Sequence, residues 1–425
     1  MFLHVVKKGD NLYDIAKQYH TDIEKIIYEN DIDDPNRLVV GQSLIISPDN
    51  YDYVIKENDT LEKIAKSNHL PIEQILNFNS QIKDPNDIKV GDTIKIVFSN
   101  YSKKAMEVNG FTYIDIDPKL LRQALPHLTY LSIFSYHLLE NGTLEGLNDE
   151  KLIKEAYKYK VAPLMVVTNI NEDNDFDSDL ASSVLENVII QEKLIGNIYE
   201  TIKNKGFMGV NIDFEYLYPQ DREAYNTFLI ALTKKLNPEG FIVITSLAPK
   251  TEEEQEGLLY EAHDYAQHNK IVNRIILMTY EWGYIYGPEM PVSPLDKVEE
   301  VIQYAVSVID SKKILMGIPN YGYDFTLPFV QGQVASVISN PEAIKIALKK
   351  NASIKYDGKR ASPYIVYYEN NKEHNVYFED ARSIIEKIIL AEYYDLGGIS
   401  YWNIMNKFTQ NWRIIDYYID VIKII

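Results

Sequence analysis

The segment "GVNIDFEYL", residues 209–217, carries two acidic side chains inside a run of apolar residues that has the length of a buried strand. Side chains alternate between the two faces of a β-strand, so residues i and i+2 point the same way. Asn211, Asp213 and Glu215 are therefore predicted to share one face, while the apolar residues between them form the other. Burial of ionisable groups is unfavourable unless they are paired or take part in chemistry. The pattern predicts either a structural ion pair or the acidic groups of an enzyme.

Other apolar runs of this kind occur along the chain, and amphipathic segments typical of helices separate them. Continuous apolar strands that alternate with helices predict a parallel sheet with helical crossovers. Eight such units predict an α/β fold that closes into a (β/α)8 barrel. The runs besides the first are "GFTYIDI" (110–116), "LTYLSIFSY" (128–136), "VAPLMVVTN" (161–169), "FIVITSLAP" (241–249), "RIILMTYEW" (274–282), "KILMGIPNY" (313–321) and "GGISYWNI" (397–404).

The stretch between the last two of these runs is too long for a single crossover helix. It contains two further alternating runs and a turn at residues 369–372. We therefore predict a small α+β insertion after strand seven, at about residues 323–378. The polar segment 99–110 is interpreted as a connector, and the barrel domain is assigned to residues 105–425.

An internal repeat opens the chain. The segment "HVVKKGDNLYDIAKQY" (4–19) recurs as "YVIKENDTLEKIAKSN" (53–68), and the similarity continues through "DPNRLVVGQSLII" (34–46) and "DPNDIKVGDTIKI" (84–96). Each unit is predicted to fold as strand, helix, helix and strand. We assign the two units to residues 1–48 and 50–98.

These units resemble LysM modules in "GDNLYDIA", in the asparagines at 30 and 79, and in "VGQSLIIS". The resemblance implies binding of glycan chains that contain N-acetylglucosamine, in a groove between the first helix start and the loop near residues 32–35. In the alternative interpretation the aspartates only cap helices and the apolar residues only fill small cores. The duplication favours an anchor, because paired weak sites gain avidity on a polymer. The implied groove residues are Gly9, Asp10, Asn11, Leu12, Asp59, Thr60 and Leu61.

Composition restricts the possible partners. The chain has 425 residues and no cysteine, which excludes disulfides, thiolate chemistry and cysteine-ligated metals. Its 62 acidic and 43 basic residues give a formal charge of −19, which repels nucleic acid and anionic lipid and favours a neutral or zwitterionic polymer. The first residues lack a basic segment followed by an apolar run, and no segment reaches the roughly 18 apolar residues of a membrane span. We expect a monomer that is not exported by the ordinary secretory route.

Polar and aromatic residues recur at the ends of several predicted strands. Active sites of (β/α)8 barrels are built at the carboxyl ends of the strands. A lone glutamate there is equally well explained as a solvated or capping carboxylate. Convergence from four strands favours an active site. Besides Asp213 and Glu215 on strand four, the residues at this level are Tyr280 and Glu281 on strand six, Asn320 and Tyr321 on strand seven, and Trp402 and Asn403 on strand eight.

Four motifs resemble those of glycoside hydrolase family 18, over about residues 105–425. The D-x-x-D-x-D-x-E motif of that family matches "MGVNIDFE" (208–215), and its M-x-Y-D motif matches "MTYE" (278–281); "GIPNYGY" (317–323) and "GGISYWNI" (397–404) complete the set. Three positions depart from the family pattern: Met208 and Asn211 replace aspartates, and Glu281 replaces the aspartate after the tyrosine. An asparagine at 211 is expected to hydrogen-bond Asp213 but cannot share a proton with it.

The resemblance implies a retaining mechanism without any metal or organic cofactor. Glu215 is expected to act as the general acid, while the 2-acetamido oxygen of the substrate attacks the anomeric carbon. Asp213 is expected to orient the acetamido group, Tyr280 to bond its carbonyl oxygen, and Trp402 to form the floor under the sugar. Four further residues are implied in substrate binding: Asn211, Glu281, Asn320 and Tyr321.

The order of domains resembles the spore cortex fragment-lytic enzymes of endospore-forming bacteria. This implies an N-acetylglucosaminidase that acts on cortex peptidoglycan during germination, located at the spore. The alternatives are a chitinase, a lectin-like barrel without activity, and a structural coat protein that works through its LysM modules. The chain has only three tryptophans, which disfavours a long chitin-binding track. The intact Glu215 disfavours a lectin without activity. We further expect no packed interface between the repeats and the barrel.

Overall fold

The structure of the protein, a computed structural model, describes residues 1–68, 70–98 and 103–425. The two repeats form separate small modules of the predicted βααβ order, which we call module 1 and module 2. In each, the outer strands pair antiparallel and two helices pack on them. The elements are β1 (Phe2–Val5), α1 (Leu12–Gln18), α2 (Ile23–Glu29) and β2 (Ser43–Ile46), then β3 (Tyr51–Val54), α3 (Leu61–Ser67), α4 (Ile72–Asn77) and β4 (Thr93–Ile96).

The repeated asparagines join the second helix of each module to its last strand. The Asn30 amide donates to the carbonyls of Ile26 and Ile45, each at 2.8 Å, and accepts the Ile45 N–H at 2.6 Å. Asn79 makes the equivalent bonds to Ile75 and Lys95. A buried amide that satisfies three backbone groups stabilises both elements, because unpaired buried polar groups are costly.

The helix caps differ from the capping interpretation given above. Asn11 and Thr60, not the aspartates before them, accept the N–H groups of the first helical turn. Asp10 instead accepts the backbone N–H of Lys7 at 2.8 Å, and Asp59 accepts that of Lys56 at 2.7 Å. The aspartates therefore close the turn that leads into each helix, one residue before the cap.

The rest of the chain forms the barrel domain. Its strands are β5 (Lys104–Thr112), β6 (Tyr130–Leu138), β7 (Leu144–Glu145), β8 (Ala162–Thr168), β9 (Gly209–Asp213), β10 (Ile242–Leu247), β11 (Arg274–Leu277), β12 (Ile314–Pro319), β13 (Gly322–Leu327), β14 (Ser336–Ile338), β15 (Ile354–Asp357), β16 (Ser362–Glu369), β17 (Lys372–Tyr377), β18 (Gly398–Trp402) and β19 (Ile419–Val421). Its helices are α5 (Pro118–Ala124), α6 (Glu150–Lys158), α7 (Ser178–Leu185), α8 (Val188–Lys205), α9 (Arg222–Leu236), α10 (Tyr265–Ile271), α11 (Leu295–Val308), α12 (Asn340–Lys350), α13 (Ala381–Tyr393) and α14 (Thr409–Tyr418). None of the helices described is both long and apolar enough to span a membrane.

Eight parallel strands close the predicted barrel, in the order β5, β6, β8, β9, β10, β11, β12 and β18, with β18 pairing back to β5. The hydrophobic core has two layers. Leu164, Ile244 and Leu315 belong to a cluster inside the barrel, whereas Val210 and Ile212 pack in the larger cluster between strands and helices. The predicted alternation along β9 is therefore confirmed, and its polar row faces the barrel interior.

The first barrel strand corrects the interpretation of residues 99–110 as a connector. Residues 99–102 lie outside the described part of the chain, but β5 begins at Lys104. Glu107 receives two hydrogen bonds of 2.6 Å from Arg274 on β11, and Asn109 bonds Ser132 and Ser400 on the neighbouring strands. The segment resembled a linker because its polar side chains are paired inside the barrel.

The insertion after strand seven forms a five-stranded antiparallel sheet in the order β14, β13, β17, β16 and β15, with α12 packed on β16. Residues 354–357, 362–369 and 372–377 supply three of its strands. The sheet begins directly after the end of β12 and so lies beside the carboxyl ends of the barrel strands. This part of the predicted fold class is confirmed.

Module 1 is packed on the barrel domain, contrary to the expectation that no packed interface joins the repeats and the barrel. The Asp31 carboxylate accepts the Thr409 N–H at 2.9 Å and the Thr409 hydroxyl at 2.7 Å. Gln410 is buried and donates to the Asn30 side chain and the Ser43 carbonyl, each at 2.8 Å. Sequence patterns within either domain carry no sign of such bonds, because their partners are more than 360 residues apart.

Module 2 is attached differently. It contacts module 1 through Phe98, whose ring meets that of Phe2 edge-on at 5.6 Å, and through Tyr51, whose ring lies 4.8 Å from that of His20. Within the described ranges we find no hydrogen bond or ion pair between residues 50–98 and residues 103–425. The two modules are therefore similar in fold and unequal in their attachment to the barrel.

Candidate active site

A pocket of about 200 Å³ opens at the carboxyl ends of the barrel strands. It brings together five of the residues predicted from the sequence: Asp213, Glu215, Tyr280, Glu281 and Trp402. The other residues that line it are Phe111, Phe134, Phe176, Tyr216, Ser246, Pro249, Leu259 and Met278. Strands that are far apart in the sequence thus contribute to one cavity, as the convergence of motifs predicted.

The backbone of Glu215 is fixed just beyond the end of β9. Asn169, the residue after β8, accepts the Glu215 N–H at 3.0 Å and donates to the Glu215 carbonyl at 2.9 Å. The next residue, Tyr216, has a φ of 54°, in the left-handed region that non-glycine residues rarely adopt. Such strained backbone is common at functional sites, where the surrounding structure holds it in place.

Asp213 is nearly completely buried, and one of its carboxylate oxygens, Oδ1, has no hydrogen-bond partner within the described residues. Burial raises the pKa of Asp213, and a hydrogen bond from the Ser246 hydroxyl opposes that shift. The Asn211 amide donates to Ser246 Oγ at 3.1 Å. Asn211 therefore contacts Asp213 through Ser246 and does not make the direct bond that was expected.

Glu215 lies in the same pocket without a hydrogen bond to its carboxylate from the part of the chain described. Burial raises its pKa well above the ordinary value, and the nearby charges of Asp213 and Glu281 raise it further. A carboxyl group in this environment stays protonated to higher pH, which is what a general acid requires.

Glu281 is held by two tyrosines. The Tyr323 hydroxyl lies 2.8 and 2.9 Å from its two carboxylate oxygens, and the Tyr321 hydroxyl also donates to it. Burial raises the pKa of Glu281, whereas these two hydrogen bonds oppose the shift. Tyr321 thus contacts Glu281 and is not among the pocket-lining residues.

Aromatic side chains complete the pocket. Trp402 meets Phe134 at 4.9 Å and Phe111 at 5.2 Å between ring centroids, both close to edge-on, and Tyr113 at 6.1 Å. These contacts fix the orientation of the Trp402 ring. Tyr280 is buried, and burial together with the neighbouring carboxylates raises the pKa of its hydroxyl well above the ordinary value, so it remains a neutral donor.

The predicted site residue Asn320 lies outside the pocket. It is 3% exposed and donates to the carbonyls of Asn403 and Asn406, each at 3.0 Å. Its side chain therefore supports the loop that follows Trp402 and presents little surface to a substrate.

The predicted groove residues of the modules do not contribute to this pocket. Leu12 and Leu61 are 4% and 2% exposed and fill the module cores, so their side chains are not available to a ligand. Asp10 is paired with His4 at 2.9 Å, and Asp59 accepts the Tyr53 hydroxyl at 2.9 Å. The remaining positions, Gly9, Asn11 and Thr60, lie on exposed turns.

Sequence reasoning missed several polar residues around the acids. Ser246 shares the interior face of the barrel with Asn211, because Ile244 pairs with Asn211 and Ser246 follows two residues later, but this register of β9 and β10 is defined only in the folded barrel. Asn169 and Tyr323 lie just after a strand and at the start of the insertion. No local pattern separates them from ordinary polar residues.

Comparison with known proteins agrees with this architecture. Residues 4–47 and 53–97 match the LysM domain, and residues 98–406 match glycosyl hydrolases family 18. The cortical fragment-lytic enzyme of Bacillus subtilis (strain 168) is 40% identical over 437 residues, which cover 100% of this chain and 99% of that enzyme.

Solved structures agree as well. The spore cortex-lytic enzyme SleL of Bacillus megaterium QM B1551 superimposes with a TM-score of 0.87 at 37% identity, over 100% of this chain and 99% of that one. A chitinase from Chromobacterium violaceum shares the barrel fold, with a TM-score of 0.68 at 22% identity over 74% of this chain and 98% of its own. By its sequence and its fold, this chain belongs to glycosyl hydrolases family 18.

Proposed function

We propose that this protein is a retaining N-acetylglucosaminidase that cleaves spore cortex peptidoglycan by substrate-assisted catalysis. The observation that carries the proposal is the arrangement of Asp213, Glu215 and Tyr280 around Trp402 in one pocket. This arrangement supplies an acid, an acceptor for an amide N–H, a hydroxyl donor and a flat apolar surface.

Glu215 is the proposed general acid. Its raised pKa keeps a proton available for the glycosidic oxygen, and no hydrogen bond from the described residues competes for its carboxyl group. After the leaving group departs, the same carboxylate accepts a proton from the water that opens the intermediate. Protonation and deprotonation by one residue are consistent with retention of the anomeric configuration.

The nucleophile in this proposal is the acetamido oxygen of the substrate. Asp213 and Tyr280 both line the pocket: the Asp213 carboxylate, whose buried Oδ1 has no hydrogen-bond partner among the described residues, is the proposed acceptor of the acetamido N–H, and the neutral Tyr280 hydroxyl is the proposed donor to its carbonyl oxygen. The third carboxylate, Glu281, is held by Tyr321 and Tyr323, which disfavours it as an attacking group. These contacts hold the reacting group before attack and lower the entropic part of the barrier.

Peptidoglycan as the substrate is supported by the combination of a family 18 barrel with two LysM modules. The cortex is supported by the names of the relatives, which describe cortical fragment-lytic and spore cortex-lytic enzymes. We further propose a spore-associated monomer that binds neither nucleic acid nor membrane.

The direct test is Glu215→Gln, which keeps the shape of the side chain but removes its acidic proton. We expect turnover of cortex glycan fragments to fall by roughly 10²–10⁴-fold while their binding is retained. Glu300→Gln, at a half-exposed surface position paired with Lys297, is the matched control and should leave turnover unchanged. Full activity of the Glu215→Gln variant would exclude the proposed acid, and absence of turnover in the unmodified protein would favour a lectin-like role.

A further inference from the structure

A buried histidine outside the pocket joins the ends of two barrel strands at the proposed acid. His263 is 1% exposed and lies in the loop before α10. Its Nδ1 lies 3.0 Å from the Ala248 backbone nitrogen, and its Nε2 lies 3.0 Å from the Phe214 carbonyl oxygen. A backbone N–H can only donate and a carbonyl can only accept, so Nδ1 is unprotonated and Nε2 carries the proton.

These two backbone groups lie where the sheet ladder has ended. The register of β9 with β10 runs from Gly209 opposite Ile242 to Ile212 opposite Thr245. Beyond it the strands lose their mutual hydrogen bonds, and the His263 ring bridges the gap. Both bonds need a neutral ring, and burial lowers the pKa of His263 to about 4, which keeps the ring neutral at physiological pH.

Both bridged groups adjoin the pocket. The Phe214 carbonyl belongs to the peptide that links Phe214 to Glu215, and Ala248 is followed by Pro249, which lines the cavity. On the other side of Glu215, the Asn169 side chain accepts a hydrogen bond from the Glu215 N–H and donates one to the Glu215 carbonyl. The backbone around the acid is therefore fixed from two directions.

We propose that His263 is a positioning residue: by bonding the Phe214 carbonyl and the Ala248 N–H at once, it sets where Glu215 stands relative to the glycan. The inference rests on the proposed function in so far as Glu215 is the acid. An error of about 1 Å in the position of a reacting group can lower a rate by roughly 10²-fold.

Two variants separate the two bonds of His263. An asparagine amide oxygen takes the place of Nδ1, so His263→Asn keeps an acceptor for Ala248 and loses the donor to Phe214. A glutamine amide nitrogen reaches the place of Nε2, so His263→Gln keeps the donor to Phe214. His268→Gln is the control, since His268 is equally buried and its hydrogen bond is with Thr245, which does not line the pocket.

We would measure kcat and KM on a soluble cortex fragment, the thermal midpoint, and hydrogen–deuterium exchange in residues 209–217. We expect kcat of His263→Asn to fall by roughly 10- to 10²-fold with KM little changed. The amide hydrogens of residues 209–217 should exchange faster in this variant. His263→Gln should retain at least about five times the kcat of His263→Asn. The His268→Gln control should lower the thermal midpoint without lowering kcat and without faster exchange in residues 209–217.

Equal kcat in the two His263 variants, or exchange in residues 209–217 that matches the His268→Gln control, would overturn the positioning role. If His263→Asn does not fold, His263→Gln is compared with the unmodified protein, and full loss of kcat despite the retained donor would count against the inference. If the unmodified protein is inactive on the glycan, the proposed function fails, while the exchange measurement still decides whether His263 holds this backbone.

Discussion

The attachment of module 1 to the barrel leads to a prediction about stability. The structure places Asp31 of module 1 at the amino end of α14, whose own residues provide no side-chain cap. Asp31→Ala removes the acceptor for the N–H and the hydroxyl of Thr409, which is 3% exposed. Loss of a helix-capping acceptor costs about 1 kcal/mol, and a buried hydroxyl proton left without an acceptor costs about 1 kcal/mol or more, while Thr409 Oγ1 still accepts a hydrogen bond from Gln123.

The ion pair of Asp31 with Lys407 adds little to this sum, because the Lys407 side chain is 55% exposed and such pairs are worth under about 1 kcal/mol. We therefore expect Asp31→Ala to lower the free energy of unfolding of the barrel by about 2–3 kcal/mol. Asp33→Ala is the matched control. Asp33 also pairs with a residue of the barrel domain, Lys345, but both side chains are more than 60% exposed, so the change should be within about 0.5 kcal/mol.

Tryptophan fluorescence during urea unfolding is a suitable assay, because all three tryptophans, Trp282, Trp402 and Trp412, lie in the barrel domain. The signal therefore reports the barrel, although both substitutions are in module 1. A barrel transition in Asp31→Ala that coincides with that of Asp33→Ala would refute the reasoning. Module 1 would then be a separate anchor, as the sequence alone suggested.

Three further predictions concern the pocket. In Glu281→Gln a negative charge that raises the pKa of Glu215 is removed, so the basic limb of the pH–rate profile should move to lower pH; an unchanged limb would contradict this coupling. Glu215→Gln should raise the free energy of unfolding at high pH, because a carboxyl whose folded pKa is raised loses stability as pH rises, and urea unfolding at two pH values checks it. Tyr280→Phe should lower kcat by roughly 10²-fold on N-acetylated chains, because the hydroxyl that stabilises the acetamido oxygen is lost. Chains without N-acetyl groups should not be cut by the unmodified protein or by any variant, and product chromatography checks both expectations.

Much of the fold could be predicted because its signals are local. Continuous apolar runs mark buried parallel strands whatever lies beside them, and the duplicated "IAK" and "DPN" segments mark the modules. The start of β5 could not be recognised, since Glu107 and Asn109 look like linker residues until Arg274 and Ser132 are placed opposite them. Pairing across 160 residues or more leaves no trace in a single sequence window.

The acids of the pocket could be predicted because strand parity places Asp213 and Glu215 on one face. The groups that hold them could not, because the contacts of Asn169, Ser246 and His263 depend on how separate strands end. A serine within a strand and a histidine before a helix are ordinary features. Their roles depend on a register that only the folded barrel defines.

The identity and the anomeric configuration of the product test the proposed mechanism most directly. We would incubate the purified protein with cortex glycan fragments, record proton NMR spectra during the first turnovers, and identify the reducing-end sugar by mass spectrometry. We predict new reducing ends of N-acetylglucosamine that appear first in the β configuration of the cleaved bond. An initial α product, or reducing ends of muramic acid alone, would contradict the substrate-assisted N-acetylglucosaminidase mechanism.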